Sequence, residues 1–162
     1  MARSEAISGG CLCGAIRFEI DAFAGPFELC HCSRCRKASG SAWVAGVGVR
    51  ARSFRFVRGE VFIRRYEAPV IERPPGYSTA FCSICGSPAP DLSHVTEEDD
   101  WFELAAGTLD GDPGVRPDKH IFVECRAAWD RIEDDLPTLT KSELIALRIA
   151  EYEERRGRWS PS

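Results

Sequence analysis

The sequence predicts a mainly β, single-domain protein with a helical extension at its C-terminus. Two observations predict this class. Short apolar or alternating segments are separated by proline and glycine breakers, and a single helix-start pattern stands near the end. The 162 residues are enough to bury a core as one domain. We place the domain at residues 7–137 and the helical extension at 138–162.

The strand patterns occur in order along the chain. Residues 16–20 alternate apolar and charged side chains, as a half-buried strand does, and 42–49 is a continuous apolar run typical of a buried strand. Segments 54–57 and 61–66 flank Arg-Gly-Glu at 58–60, which predicts a β-hairpin. Further predicted strands are 78–82, 101–105 and 121–125, and breakers lie at 74–76, 88–90 and 110–114.

The helix of the extension begins with a capping box. Thr140 can accept a hydrogen bond from a first-turn amide while Glu143 reaches back to the backbone. An apolar stripe follows at helical spacing, formed by Ile145, Ile149 and Tyr152. Because this stripe has to be buried on the domain or on a second copy, we expect a homodimer.

Charge and composition limit the function classes. The net charge of −4 and the pI near 5.5 argue against a nucleic-acid binder. A basic stretch at residues 50–65 is interpreted as exposed arginines along a strand edge rather than as a nucleic-acid site. Its members are Arg50, Arg52, Arg55, Arg58, Arg64 and Arg65. No apolar run approaches the roughly 20 residues of a membrane span, and no signal peptide pattern opens the chain. We therefore expect a cytoplasmic protein, in which the eight cysteines are metal ligands or catalytic groups rather than disulfides.

Two cysteine pairs have the spacing of a closed metal site. Cys11 and Cys13 are two residues apart, which in an extended segment places both sulfurs on one face. Cys82 and Cys85 have the spacing of a metal knuckle. A structural zinc requires four soft ligands in a tetrahedral array, and these two pairs supply them.

A third motif differs in kind, because Cys30, Cys32 and Cys35 offer three thiols. Three protein ligands leave a fourth position for water or substrate, as in catalytic zinc sites. His31 lies between two of these cysteines, so in an extended segment it faces away from the ion. A zinc ion held by three thiolates is a weaker Lewis acid than one held by histidines, which favours sulfur substrates or readily polarised carbonyls.

Several other side chains remain open in role. Basic residues near the third motif can balance its negative charge or simply be solvated; these are Arg34, Arg36 and Lys37. Cys125 has no cysteine neighbour and is interpreted as a buried structural thiol. His94 and His120 could complete the open site, but neither has a spacing that requires it.

The cysteine motifs, taken in order, resemble the glutathione-dependent formaldehyde-activating family, whose domain is also found in vertebrate centromere protein V. The resemblance runs from residue 9 to about 137. It rests on Gly-Cys-x-Cys-Gly at 10–14, Cys-His-Cys-x-x-Cys-Arg-Lys-x-Ser-Gly at 30–40, Phe-Cys-x-x-Cys-Gly at 81–86, Lys-His-Ile-Phe-Val at 119–123, and Ala-Trp-Asp-Arg-Ile-Glu-Asp-Asp-Leu-Pro at 128–137.

The resemblance implies a β-tent fold with two zinc ions. It assigns Cys11, Cys13, Cys82 and Cys85 to a structural zinc, and Cys30, Cys32 and Cys35 to a catalytic zinc that we expect to be lost more easily on purification. The implied reaction is a carbon–sulfur lyase type, the addition of glutathione to formaldehyde that gives S-(hydroxymethyl)glutathione. The cleft wall is expected to include Ser39, Gly40 and Trp43.

Fold and metal do not determine the substrate, so a second function class stays open. The domain could be a zinc-stabilised binding module without chemistry. An open coordination position in a cleft would favour the enzyme, and a buried four-coordinate second zinc would favour the module.

Overall fold

The computed structural model describes residues 6–68, 77–96 and 100–157, with side chains as far as 154. The chain forms ten strands in these ranges: Ile7–Gly10 (β1), Arg17–Ile20 (β2), Phe23–Cys30 (β3), Val44–Arg50 (β4), Phe54–Arg58 (β5), Ile63–Ala68 (β6), Tyr77–Cys82 (β7), Trp101–Ala105 (β8), Lys119–Ile121 (β9) and Thr138–Leu139 (β10). Two α-helices are Ser33–Ser39 (α1) and Lys141–Gly157 (α2). The predicted mainly β class with a C-terminal helix is confirmed.

The strands form three sheets. The largest has the order β10-β9-β3-β4-β8, in which β3, β4 and β8 are antiparallel neighbours while β9 runs parallel to β3. A three-stranded sheet has the order β1-β2-β5, and β6 pairs with β7. No helix in the described ranges is long and apolar enough to cross a membrane.

The five-stranded sheet has two chemically different faces, because side chains alternate along each strand. One face packs into the main core, where apolar side chains are almost fully buried; among them are Val47, Val49, Phe102 and Leu104. The register places Glu28, Gly46 and Ala105 in one row on the opposite face, and Cys30 beside Val44 and Ile121 in the next row. This second face carries the polar groups, and we refer to it as the open face.

The predicted hairpin around residues 58–60 is wrong. β5 pairs with β2, and β6 pairs with β7, so the two strands belong to different sheets. Gly59 lies between them with φ +81°, and a side chain there would collide with the carbonyl of Ala15. This left-handed turn and the 3-10 helix Glu60–Phe62 redirect the chain. Phe56 then packs on the core while Ile63 packs near Cys82.

One further strand needs correction. The predicted strand 121–125 ends at Ile121, where Phe122 takes a left-handed φ of +57° and the 3-10 helix Val123–Cys125 follows. For the apolar stripe of α2, the structure excludes burial on the domain, and the alternative of a second copy stays a prediction. The side chains of the stripe are exposed by about half, at 45% for Ile145, 53% for Ile149 and 55% for Tyr152. The breaker expected at 74–76 lies outside the described residues.

The capping box of α2 forms as predicted, and Leu144 anchors the helix instead of the stripe. The backbone amide of Thr140 donates to Glu143 at 2.7 Å. Leu144 is 2% exposed and packs in a cluster with Cys30 and Ile121 on the open face. The division into 7–137 and 138–162 stays a prediction.

Candidate functional site

Cys11, Cys13, Cys82 and Cys85 come together as predicted. Their sulfur atoms all lie within 4.8 Å of one another. Cys82 ends β7, and the amide of Gly86 donates to its carbonyl at 2.8 Å, which closes the knuckle that carries Cys85. Gly86 has φ +76°, a conformation that few other residues adopt without strain.

The first pair reaches this group by a turn rather than by the extended segment that we expected. The amide of Gly14 donates to the carbonyl of Cys11 at 2.9 Å. This turn directs both sulfurs to one side and leaves Leu12 89% exposed. The amide of Ile16 donates to the sulfur of Cys11 at 3.2 Å, the kind of contact that stabilises a thiolate.

The distances in this group fit a tetrahedral ion. Zinc–sulfur bonds of about 2.3 Å in a tetrahedron separate neighbouring sulfurs by roughly 3.8 Å. The observed separations are 3.5 Å for Cys11 to Cys13 and 3.9 Å for Cys13 to Cys82. Hydrogen bonds from Ser87 and from the amide of Cys13 lower the pKa of Cys85 to about 5, which favours the thiolate that a metal binds. This group could therefore hold a metal ion.

Cys30, Cys32 and Cys35 form a second group, again with sulfurs within 4.8 Å of one another. Cys30 is the last residue of β3, Cys32 is the N-cap of α1, and Cys35 lies in its first turn. The amide of Cys35 donates to the sulfur of Cys32 at 3.3 Å. Hydrogen bonds from the neighbouring thiols, and then from backbone amides, lower the pKa of Cys32. Among the described residues, no fourth His, Cys, Asp or Glu joins this group.

His31 lies outside the thiol group and is fully buried, at 0% exposure. Its Nε2 is 2.8 Å from Nδ1 of His120, whose Nε2 lies 3.1 Å from both carboxylate oxygens of Asp134. The amide of His31 also donates to the carbonyl of Ile121 at 3.0 Å. These contacts fix the backbone between the two cysteines that flank His31.

A cavity of about 510 Å³ opens on the open face of the large sheet. All three thiols of the second group line it, whereas none of the first group does. Its wall includes Val44 and Ala105 from the sheet, and β7 contributes Tyr77 at its start. The volume lies within the range of about 300–1,000 Å³ that is typical of small-molecule sites.

The cavity also carries charged side chains. The guanidinium of Arg34 lies 5.9 Å from the centre of the Tyr77 ring. Burial first, and then the charges of Cys35 and Cys32, raise the pKa of Tyr77, so its hydroxyl keeps its proton. Arg148 of α2 lines the cavity and donates to Glu28 at 2.9 Å. Glu103 projects from β8 into the same space.

The other candidate residues have varied positions. Ser39 lines the cavity as expected, but Gly40 and Trp43 do not. Cys125 is half-buried and lines the cavity, so the interpretation as a buried structural thiol is wrong. His94 lies away from both thiol groups, with Nε2 2.8 Å from the hydroxyl of Ser78.

The arginine-rich segment is largely engaged in local contacts. Arg52 pairs with Asp100, Arg55 with Glu19 and Asp21, and Arg65 with Asp91. Arg58 and Arg64 donate to backbone carbonyls. Carboxylates thus balance three of these arginines, and local hydrogen bonds hold two more, which fits arginines that decorate a strand edge.

Several residues of the cavity could not be identified from the sequence, among them Tyr77, Glu103 and Arg148. Each belongs to a segment whose pattern reads as an ordinary strand or helix. Only the sheet register and the packing of α2 bring them to the thiol group, so no local pattern could have identified them.

The comparisons with known proteins agree with the motif order. A family model described as "Glutathione-dependent formaldehyde-activating enzyme" matches residues 6–125. A Halomonas elongata protein, provisionally named a glutathione-dependent formaldehyde-activating enzyme, is 29% identical over 133 residues, which are 78% of this chain and 81% of that protein. A crystal structure of a Rhodobacter sphaeroides protein aligns with TM-score 0.47 at 22% identity, over 65% of this chain and 89% of that one. The family model covers well over half of the sequence, and the chain therefore belongs to the glutathione-dependent formaldehyde-activating enzyme family.

Proposed function

We propose that this protein is a zinc-dependent carbon–sulfur lyase-type enzyme that adds a glutathione-like thiol to formaldehyde, giving S-(hydroxymethyl)glutathione. The observation that carries the proposal is the opening of the thiols of Cys30, Cys32 and Cys35 into the cavity. Three ligands leave one coordination position, and the cavity gives a small molecule access to it. The name of the matching family and that of the Halomonas relative support this reaction.

The two thiol groups have different roles in this proposal. Cys11, Cys13, Cys82 and Cys85 hold a structural zinc, because four thiols close the coordination sphere away from the cavity. Cys30, Cys32 and Cys35 hold a second zinc, which supplies Lewis-acid activation when it is bound. The second ion is held by one short segment of chain, so we expect it to be lost more easily.

The remaining cavity residues bind and orient the substrates. Arg34 lies at the wall with its guanidinium over Tyr77, and no carboxylate pairs with it in the described part of the chain. Glutathione carries two carboxylates, and a guanidinium can bind a carboxylate through two hydrogen bonds. Arg34 is therefore the proposed anchor for the thiol substrate, which places its sulfur toward the thiol group.

The alternative, a binding module without chemistry, predicts a closed second site. The accessible group of three thiols favours the enzyme over that alternative. A cytoplasmic location and a homodimer are further parts of the proposal. The exposed side chains of Ile145 and Ile149 support the dimer, and the molar mass of the full chain in solution tests it.

A substrate panel tests the proposal. The zinc-loaded protein is mixed with one thiol (glutathione, cysteine or a dithiol) and one aldehyde (formaldehyde or a larger one). NMR measures the rate of exchange between the free thiol and its aldehyde adduct, and this rate is compared with the rate without protein. We expect acceleration with glutathione and formaldehyde. No acceleration for any pair, with two zinc ions per chain on the same sample, would favour the binding module.

A further inference from the structure

Glu103 occupies a special position on the open face. In the sheet register it pairs with Gly48 of β4, and its side chain lies across Gly46, where a Cβ would collide with the carboxylate. Gly46 is in turn the neighbour of Glu28 on β3, two residues before Cys30. The absence of a side chain at Gly46 therefore creates the channel through which Glu103 reaches toward the thiol group.

Glu103 differs from the other carboxylates around the cavity in having no partner. Asp91 pairs with Arg65, and Glu124 accepts from the amide of Lys141. Glu28, just beneath, is bound by Arg148 at 2.9 Å and lies 3.5 Å from Lys119. Among the described residues, no hydrogen bond or ion pair joins Glu103. Its side chain lines the cavity and is exposed there.

The surroundings tune the acidity of this carboxyl group. Partial desolvation by the surrounding protein, and then the charge of Glu28, raise the pKa of Glu103, while Arg148 acts in the opposite direction. A carboxyl group with a raised pKa, free of partners and facing a cavity can exchange protons with a bound molecule.

We propose that Glu103 is the proton-transfer group of this cavity, a catalytic residue that moves a proton from the thiol sulfur of the substrate to the aldehyde oxygen. The carboxylate accepts the proton as the sulfur–hydrogen bond breaks. The carbon–sulfur bond forms, the carbonyl π electrons move to oxygen, and that oxygen takes the proton from Glu103. Nothing is oxidised or reduced, and Glu103 ends the cycle ionised. This inference rests on the proposed function and adds the residue that carries the proton.

The test compares Glu103→Gln and Glu103→Asp with the parent, and Glu133→Gln is the control because Glu133 is exposed and outside the cavity. The rate of glutathione–formaldehyde exchange is measured against pH, and zinc content and melting temperature are measured on each sample. Removing a general acid–base group typically costs about 10²- to 10⁴-fold in kcat. We expect a loss of this size in Glu103→Gln, a smaller loss in Glu103→Asp, and no change in the control.

The pH profile separates proton transfer from a merely structural role. In the parent, kcat/KM should fall on the acid side as Glu103 becomes protonated, and Glu103→Gln should lose this limb at unchanged zinc content. A parent without activity overturns the proposed function and this inference together. An active parent with a fully active Glu103→Gln variant overturns the inference alone. A loss of activity that parallels a loss of zinc or a lower melting temperature overturns it as well. If Glu103→Gln does not fold, the pH profile of Glu103→Asp decides in the same way.

Discussion

Arg148 of α2 donates from Nη2 to Oε2 of Glu28 at 2.9 Å, and this contact ties the C-terminal helix to the open face. Glu28 is 3% exposed, and its carboxylate lies against Arg148 and, at 3.5 Å, Lys119. Arg148 lies outside residues 6–125, which match the family model, yet it lines the cavity. The helical extension is therefore part of the cavity wall.

Replacing Arg148 by Gln should lower the free energy of unfolding by about 1–2 kcal/mol, because Glu28 loses a charged hydrogen bond while Lys119 remains. Denaturant unfolding measures the change. The control is the double variant Glu28→Gln/Arg148→Gln, which removes both charges and should recover much of the loss. A double variant with additive losses would show that the pair does not interact.

Replacing Arg34 by Ala should raise KM for glutathione about tenfold or more and leave kcat nearly unchanged. The proposed contact is made equally in the bound substrate and the transition state, so its loss weakens binding only. The matched control is Arg131→Ala, because Arg131 is exposed and outside the cavity. Steady-state kinetics with varied glutathione give both constants, and an unchanged KM would rule out Arg34 as the anchor.

Replacing Cys82 by Ser should unfold the protein or make it insoluble. Cys82 is fully buried, and its group joins chain segments that are 69 residues apart, so metal binding there becomes folding free energy. Cys125→Ser is the control, since Cys125 belongs to neither group. The melting temperatures of both variants are compared with that of the parent. A Cys82→Ser variant that melts like the parent would contradict a structural zinc at this group.

The raised pKa of Glu103 also predicts a pH-dependent effect on stability. A carboxyl group whose pKa is higher in the folded state binds its proton more tightly there. Its contribution to the free energy of unfolding therefore falls as the pH rises above the unfolded pKa of about 4.3. Glu103→Gln does not titrate. The melting temperature of Glu103→Gln relative to that of the parent should therefore rise as the pH increases above about 4.3. Melting curves of both proteins at a series of pH values measure this difference in melting temperature. A difference that decreases as the pH rises would contradict the raised pKa of Glu103.

The sequence predicted the thiol groups well because their spacing is local. Cysteines two or three residues apart can bind one ion in several backbone conformations. The spacing was therefore informative although Cys11 lies in a turn and Cys32 caps a helix. The sequence also predicted most strands and the cap at Thr140, since hydrophobic period and capping are short-range properties.

Strand pairing and the cavity could not be predicted in the same way. The segment around Gly59 has the composition of a hairpin, but its strands find better apolar partners in two different sheets. The short helix α1 has only 7 residues and no buried one, so it gives no periodic pattern. Glu103 becomes a cavity residue only because β8 pairs beside Gly46, which is a tertiary relationship.

The most direct test of the central claim is one variant, Cys32→Ser, on which zinc stoichiometry, melting temperature and glutathione–formaldehyde exchange are measured together. Because Cys30, Cys32 and Cys35 lie in one short segment, losing their metal disconnects no distant part of the fold. We expect one zinc per chain, a melting temperature close to that of the parent, and no acceleration of exchange. A stable variant with two zinc ions and full activity would contradict this expectation, and an unfolded variant would show that the two thiol groups have the opposite roles.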